Sequence, residues 1–197
     1  MKKLNVRLTL TEEMLGMMPA DPDVYSNYIA ANAPDALKKD EEIEIMGVDS
    51  VIANGTTIFP RDEEGNIFLW DYQLRGFFKD ACGMLKRATG SECSKVKAYK
   101  KVIDGCIFVN PRKVPVTLSG DIGICQRPLR AQTAQGERVA LASSETVPAG
   151  STMEFEIELW DESCVKWVKE CLDYGKRRGL AQWRNSGKGT FVWEELK

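Results

Sequence analysis

The sequence predicts an α+β domain in which an antiparallel sheet carries two helices on one face. Residues 4–10 and 152–160 alternate between apolar and polar side chains, as half-buried strands do. Residues 72–87 and the segment after Ser163 place apolar side chains at the three- and four-residue spacing of an amphipathic helix. The resulting order is βαββαβ, interrupted by two large insertions. This order is that of the ferredoxin-like (RRM-like) fold, whose open sheet face often holds single-stranded RNA.

Local signals place the ends of the two helices and the strand between them. Asp71 is the expected N-cap of the first helix, and Ser163 is the expected N-cap of the second. Gly175 marks the end of the second helix. A polar, basic linker, Gly90–Lys101, leads to the apolar stretch 102–109, which we interpret as a strand with a glycine bulge.

We expect one domain over residues 1–197, with insertions at about 11–70 and 110–150. The first insertion has weak periodicity and several prolines, and it contains one short predicted helix around residues 24–31. The second insertion is rich in glycine, glutamine and arginine, and is expected to form a surface arm or hairpin. A short strand at 190–193 closes the fold.

The charge of the chain is unevenly distributed. Residues 12–64 hold thirteen acidic and three basic residues, so this segment carries −10 of an overall charge of −2 and leaves +8 elsewhere. An acidic patch beside a basic one allows copies of the chain to associate head to tail. The alternative is a solvated acidic loop that only aids solubility.

Several classes of protein lack their usual signals in this chain. There is no histidine, and the six cysteines include no Cys-x-x-Cys pair, so we expect no metal site and no disulfide framework. Neither of the common glycine-rich nucleotide-binding motifs is present, and we expect no cofactor. No apolar run reaches the length of a membrane span, and the charged start has no signal-peptide pattern. We therefore expect a cytoplasmic protein without a membrane partner.

The segment Gly175–Gly189 is the strongest candidate for ligand binding. It contains five basic residues, one tryptophan and no acidic residue. Glycines allow close approach of a phosphate backbone, cations neutralise it, and an indole offers a stacking face for a base. The alternative is a flexible hairpin with solvated charges. The prediction is a site for single-stranded RNA (or DNA) that uses Lys176, Arg177, Arg178, Trp183, Arg184 and Lys188.

The second insertion supplies further cations between glutamines. Such side chains suit contacts with nucleic-acid backbone and bases, although an arm that packs on a neighbouring subunit has a similar composition. The residues are Arg112, Lys113, Arg127, Arg130 and Arg138.

Four stretches in order resemble the RAMP superfamily, the repeat-associated proteins of CRISPR systems, and above all the backbone subunits that line guide RNA. Leu4–Gly16 resembles their first strand and loop, and Pro60–Asp80 resembles the approach to their first helix. Glu145–Ile157 resembles a characteristic turn and strand, and Gly175–Val192 resembles the glycine-rich loop before the last strand. One departure is Trp70–Gln73, which stands where the family has a proline-glycine-serine-serine sequence.

The resemblance implies a modified RNA recognition fold and RNA contact through Arg75, Lys79 and the glycine-rich loop. It also implies head-to-tail stacking of copies, or assembly with other ribonucleoprotein subunits. Met46–Asp49 resembles the loop that carries the RNA-cleaving aspartate of some backbone subunits.

Three functions remain open from the sequence. The first is a non-enzymatic RNA-binding protein that self-associates or joins a ribonucleoprotein. The second is a virus-encoded decoy subunit that docks through its acidic segment onto a CRISPR or other defence complex and inhibits it. The third is a metal-assisted ribonuclease that uses Asp49 or Asp62.

Overall fold

The computed structural model describes residues 1–20, 56–133 and 136–196, with only the backbone described for residues 19, 129–133 and 136–141. The predicted helix at 24–31 lies outside these residues. The chain forms two compact units. The first consists of Met1–Met14, Pro60–Ile122 and Val147–Lys197, and the second consists of Leu15–Phe59 and Gly123–Thr146.

The described elements are eleven strands and three α-helices. The strands are β1 (Lys2–Leu10), β2 (Met14–Leu15), β3 (Met18–Pro19), β4 (Thr57–Ile58), β5 (Phe68–Trp70), β6 (Ile107–Asn110), β7 (Lys113–Thr117), β8 (Gly123–Thr133), β9 (Gly136–Val147), β10 (Thr152–Leu159) and β11 (Phe191–Leu196). The helices are α1 (Asp71–Leu85), α2 (Tyr99–Cys106) and α3 (Cys164–Tyr174).

The first unit is built on an antiparallel sheet in which β1 is an inner strand. β1 lies between β10 and β11, with Val6 opposite Phe155 on one side and Glu195 on the other. Both β6 and β7 pair with the far edge of β10, and β5 pairs with β7. The strand order β11-β1-β10-β6 is that of the ferredoxin-like fold, so the predicted α+β fold class is confirmed.

One face of this sheet forms the core with helices α1 and α3. The alternation along β1 buries Leu4, Val6, Leu8 and Leu10 on this face, because successive side chains of a strand point to opposite sides. Phe77 of α1 meets Phe191 of β11 edge to face, with ring centroids 5.1 Å apart. The buried stripe of α3 follows the predicted helical spacing and contains Cys164, Trp167, Val168, Cys171 and Leu172.

The helix starts differ from the sequence predictions in their capping. The N-cap of α1 is Trp70, whose backbone N–H donates to the side-chain Oε1 of Gln73 at 2.9 Å. Asp71 is already helical, and its carboxylate pairs with Arg75 instead of capping. Ser163 does stand at the N-cap of α3, but its side chain makes no capping hydrogen bond.

The predicted strand at 102–109 is wrong over most of its length. Helix α2 continues to Cys106, and only the residues from Ile107 onward are extended. The N–H groups of Lys101 and Val102 donate to the Ala98 carbonyl and start this helix. The apolar residues of this stretch serve a short amphipathic helix that buries Ile103, and periodicity alone cannot distinguish such a helix from a short buried strand.

The second unit contains the long hairpin of β8 and β9, which confirms the hairpin expected in the second insertion. Its pairing runs from Gly123 opposite Thr146 to Thr133 opposite Gly136. The Glu145 side chain accepts a hydrogen bond from the Phe59 N–H at 3.0 Å, which fastens the earlier segment of this unit to the hairpin.

None of the helices within the described ranges is long and apolar enough to cross a membrane.

Candidate nucleic-acid interface

The glycines of the loop Gly175–Gly189 allow it to pack closely on itself. The Leu180 N–H donates to the Gly189 carbonyl at 2.8 Å, and the Gly189 N–H donates to the Glu13 carbonyl at 2.8 Å. A Cβ atom on Gly179 would lie 2.1 Å from the carbonyl carbon of Gly189, too close for any other residue. These glycines therefore serve the internal packing of the loop.

Three of the five loop cations bind carboxylates of the first unit. Arg178 donates from Nε and Nη2 to the two carboxylate oxygens of Asp80, and Arg184 Nη1 lies 3.2 Å from Asp80 Oδ2. Lys188 Nζ lies 2.6 Å from Glu13 Oε1. A cation that is paired with a carboxylate in this way attracts a phosphate less strongly than an unpaired one. The main effect of these three side chains is to fix the loop.

Lys176 and Arg177 are the exposed cations of this loop. Neither lies within ion-pair distance of a carboxylate in the described parts of the chain. Trp183 is 42% exposed and has a left-handed backbone, with φ at +55°. The part of the predicted cradle that faces solvent thus consists of Lys176, Arg177 and one side of Trp183.

The two candidates on α1 are also paired. Arg75 Nη2 lies 3.0 Å from Asp71 Oδ2 one helical turn away. Lys79 Nζ lies 2.5 Å from Asp104 Oδ1 and ties α1 to α2. Both ion pairs lie within the first unit. An RNA phosphate could contact Arg75 or Lys79 only by competing with the carboxylate that each of them already binds.

Arg127 and Arg130 lie on β8 of the second unit. In the hairpin register Arg127 stands opposite Ala142 and Arg130 stands opposite Val139. Arg127 is partly buried. The side chains of Arg130 and Arg138 lie outside the described part of the structure, and their contact with nucleic acid stays a prediction.

Asp62 organises a turn. Its carboxylate accepts hydrogen bonds from the N–H groups of Asn66 at 2.7 Å and Glu64 at 3.1 Å. Partial desolvation raises the pKa of Asp62, but the hydrogen bonds from Asn66 and Glu64 and the Lys113 ammonium outweigh it and leave the pKa below its usual value. The other catalytic candidate, Asp49, lies outside the described residues. Within them, no three cysteines or carboxylates are grouped to hold a metal ion.

The open face of the sheet is acidic. Lys3 and Arg7 of β1 project from this face, with Lys3 bound to Glu156 at 3.0 Å and Arg7 bound to Glu154 and Glu194 at 2.7 and 2.9 Å. We call this surface the acidic sheet face. Its members are Lys3, Arg7, Glu154, Glu156, Glu158 and Glu194. Because four carboxylates outnumber two cations, this surface repels a phosphate backbone.

The cations without carboxylate partners concentrate instead in residues 86–101, here called the basic segment. This segment holds six basic residues and one acidic residue, Glu92. Glu92 binds Lys95 at 2.6 Å, and this hydrogen bond, together with the charge of Lys166, lowers the pKa of Glu92. The others have no carboxylate within ion-pair distance in the described ranges; these exposed residues are Lys86, Arg87, Lys97, Lys100 and Lys101.

The backbone of the basic segment is held firmly on the first unit. Glu170 of α3 accepts hydrogen bonds from the N–H groups of Glu92 and Cys93 at 3.2 and 2.9 Å. Cys93 is buried, and its Sγ lies 3.5 Å from Sγ of Cys171. The sequence predicted Gly90–Lys101 only as a polar, basic linker and placed Lys86 and Arg87 on the first helix. The excess of six basic residues over one acidic residue in 86–101 is the sequence feature that could have identified this segment as a candidate RNA contact.

No protein-family model matches the chain, and no curated protein matches it. Among solved structures, the chain is similar to one chain in the cryo-EM structure of the type III-B Cmr-beta bound to cognate target RNA. The TM-score is 0.53 and the identity is 12%, over 99% of the present chain. The present chain spans 58% of the length of that neighbour. At this identity the likeness shows a shared fold, in agreement with the fold that the RAMP resemblance implies.

Proposed function

We propose that the protein binds single-stranded RNA without cleaving it and acts as a RAMP-like component of a ribonucleoprotein. The observation that carries the proposal is the fold match over 99% of the chain with a neighbour whose structure contains bound target RNA. The four ordered stretches that resemble RAMP backbone subunits point the same way.

The charges of the first unit favour the basic segment as the main contact with phosphates. Its five exposed cations have no carboxylate partner among the described residues, whereas three of the five loop cations are held by Asp80 and Glu13. Unpaired lysine and arginine release condensed counterions from RNA when they bind, which is the main source of sequence-independent affinity. Lys176 and Arg177 supply two further cations of the same kind.

The proposal is tested by fluorescence anisotropy with a labelled single-stranded RNA of about 20 nucleotides at several salt concentrations. Replacing Lys97, Lys100 and Lys101 with alanine removes three unpaired cations. We expect weaker binding and a shallower salt dependence, by about 2 in the slope of log K against log salt.

The matched control replaces Lys3, Arg7 and Lys169 with alanine. This variant loses the same net charge, but its three cations bind glutamates in the folded protein. We expect RNA affinity close to that of the wild type, because these three cations are already paired with glutamates and add little to the attraction of phosphates. Equal losses in the two variants, or no RNA binding by the wild type at low salt, would contradict the proposal.

The acidic sheet face favours a second candidate function, the decoy subunit. A surface with four glutamates and two paired cations complements a basic protein surface better than it complements a nucleic acid. Most of the acidic segment that suggested this function lies outside the described residues. Co-purification with a defence complex at a 260/280 nm absorbance ratio typical of protein alone would favour the decoy over the RNA-binding protein.

A further inference from the structure

An aromatic and basic group lies where β5 meets α1. The rings of Trp70 and Tyr72 are stacked, with centroids 6.1 Å apart and an interplanar angle of 13°. The guanidinium carbon of Arg112 lies 5.7 Å from the centroid of the Trp70 ring, and Lys113 Nζ lies 5.9 Å from it. Phe68 is the last member of the group and meets Trp70 edge to face, with ring centroids 4.9 Å apart. We call these residues the aromatic–basic stack.

Backbone pairing holds the stack in place. Trp70 stands directly opposite Lys113 in the β5–β7 register. The Asp71 N–H donates to the Arg112 carbonyl at 2.9 Å, so α1 starts against the residue that immediately precedes β7. The rings and cations are thus positioned before any ligand arrives, which reduces the entropy cost of binding.

The outer part of this stack faces solvent. Tyr72 is 52% exposed, although it is a large aromatic residue, and Arg112 and Lys113 are exposed beside it. Neither cation lies within ion-pair distance of a carboxylate in the described ranges. Two carboxylates lie nearby, but Asp71 is bound by Arg75, and Asp62, which feels the charge of Lys113, is bound within its own turn.

A second exposed aromatic pair provides a contrast within the same unit. Phe108 and Trp160 meet edge to face with centroids 6.5 Å apart, and Trp160 is 64% exposed. The Trp160 Nε1–H donates to Glu158 at 2.6 Å, next to the acidic sheet face. Both aromatic pairs are exposed, so exposure alone does not distinguish them. They differ in the neighbouring charge, which is positive beside Trp70 and Tyr72 and negative beside Phe108 and Trp160.

The geometry points to the aromatic–basic stack as a platform for one unpaired base of single-stranded RNA. The base stacks on the exposed ring of Tyr72 and extends the Trp70–Tyr72 stack, while Arg112 and Lys113 neutralise the adjoining phosphates. A base inside a duplex is already stacked on both faces, so the platform selects single strands. This inference rests on the proposed function and adds to it a specific site and a preference for unpaired bases.

The test uses single-stranded RNA with one 2-aminopurine, whose fluorescence is quenched when it stacks on an aromatic ring. We expect quenching with the wild-type protein. Replacing Tyr72 with alanine should remove the quenching and weaken single-strand binding about ten-fold, with an unchanged salt slope. Tyr72→Trp should restore both, and Arg112→Ala should reduce the salt slope by about 0.7.

Trp160→Ala is the matched control, because it removes an aromatic ring that is at least as exposed as Tyr72 but lies on an acidic surface. Its RNA affinity should equal that of the wild type. Normal single-strand binding and quenching in Tyr72→Ala would overturn the platform but leave the proposed function intact. Absence of RNA binding by the wild type would overturn both. Two further results would overturn the assignment to unpaired RNA bases. One is that Tyr72→Ala weakens the binding of blunt duplex RNA as much as that of single-stranded RNA. The other is that the wild type binds DNA of the same sequence more tightly than the RNA.

Discussion

Asp80 of α1 binds Arg178 of the glycine-rich loop through both carboxylate oxygens, and the Arg178 Nη2 to Asp80 Oδ1 distance is 3.1 Å. About a fifth of each side chain is accessible to solvent. The same carboxylate also lies 3.2 Å from Arg184 Nη1, so one aspartate is ion-paired with two of the five loop cations. A loop whose composition indicates a phosphate cradle is in this way fastened to its own domain.

Replacing Asp80 with asparagine should destabilise the protein. The change leaves two partly buried guanidinium groups without their counter-charge, and we expect a loss of about 1–3 kcal/mol in the free energy of unfolding. Urea denaturation followed by circular dichroism measures this loss. Glu92→Gln, which breaks the exposed pair with Lys95, is the control and should change the stability much less, because solvent screens this pair. Equal stabilities for the two variants would contradict the role given to Asp80.

A methyl group at Gly179 should be poorly tolerated. Because its Cβ would lie 2.1 Å from Gly189, Gly179→Ala forces the loop apart and should lower the free energy of unfolding by about 1–3 kcal/mol. Gly76→Ala on α1 is the matched control: no atom lies within 4 Å of its added Cβ, and the change should stabilise the helix by up to about 1 kcal/mol. A stable Gly179→Ala variant would show that the loop is not closely packed.

Asp62 should make the free energy of unfolding depend on pH in the acidic range. Since its pKa in the folded protein is lowered from 3.8, its contribution is complete above that value and is lost as the pH falls through the folded pKa. The difference in stability between the wild type and Asp62→Asn should therefore be largest near neutral pH and shrink below about pH 4. Chemical denaturation between pH 2.5 and 7 measures it, and a difference that stays constant over this range would be inconsistent with the hydrogen-bonded turn.

The same residue provides a test of the ribonuclease alternative. The carboxylate of Asp62 is engaged in its turn, so we expect no RNA cleavage in Mg²⁺ that depends on it. Incubation of labelled RNA with the wild type and with Asp62→Ala should give the same intact product. Cleavage by the wild type that disappears in the variant would instead support the ribonuclease.

Most of the cysteines should be inert in the folded protein. Hydrogen bonds with Cys82 and Cys93, together with burial, raise the pKa of the Cys171 thiol, and burial raises the pKa of Cys164 to about 11. A thiol must be reached by an aromatic disulfide reagent and must ionise to react with it. Cys82, Cys93, Cys164 and Cys171 are buried, so these four should react only after unfolding, whereas the other two should react quickly at pH 8. The accessible ones are Cys106 and Cys125. Rapid reaction of all six would contradict the buried arrangement.

The strands and helices with strong periodicity were predictable from the sequence. The alternation in β1 and β10 and the stripe in α3 are determined by which side chains the core must bury, and the structure places them as expected. The stretch 102–109 was misread because a short, mainly apolar run of this kind fits either a helix turn or a strand. Helix α2 begins at Tyr99, inside the segment interpreted as a linker, so residues 102–106 continue a helix instead of starting a strand.

The candidate site was less predictable because binding depends on which charges remain unpaired. Arg178, Arg184 and Lys188 looked equivalent to Lys176 and Arg177 in the sequence, but their carboxylate partners, Asp80 and Glu13, lie about 100 or more residues away along the chain. Composition locates cations, whereas tertiary contacts decide which of them are available to a ligand.

The inner position of β1 has a consequence for how the chain folds during synthesis. Its two neighbours, β10 and β11, come from the last quarter of the sequence. A ribosome must therefore synthesise residues as far as Thr152 and beyond before this strand finds either hydrogen-bonding partner. Until then its apolar face and both edges are open to unwanted association. We expect slow folding and a need for chaperone protection of the nascent chain.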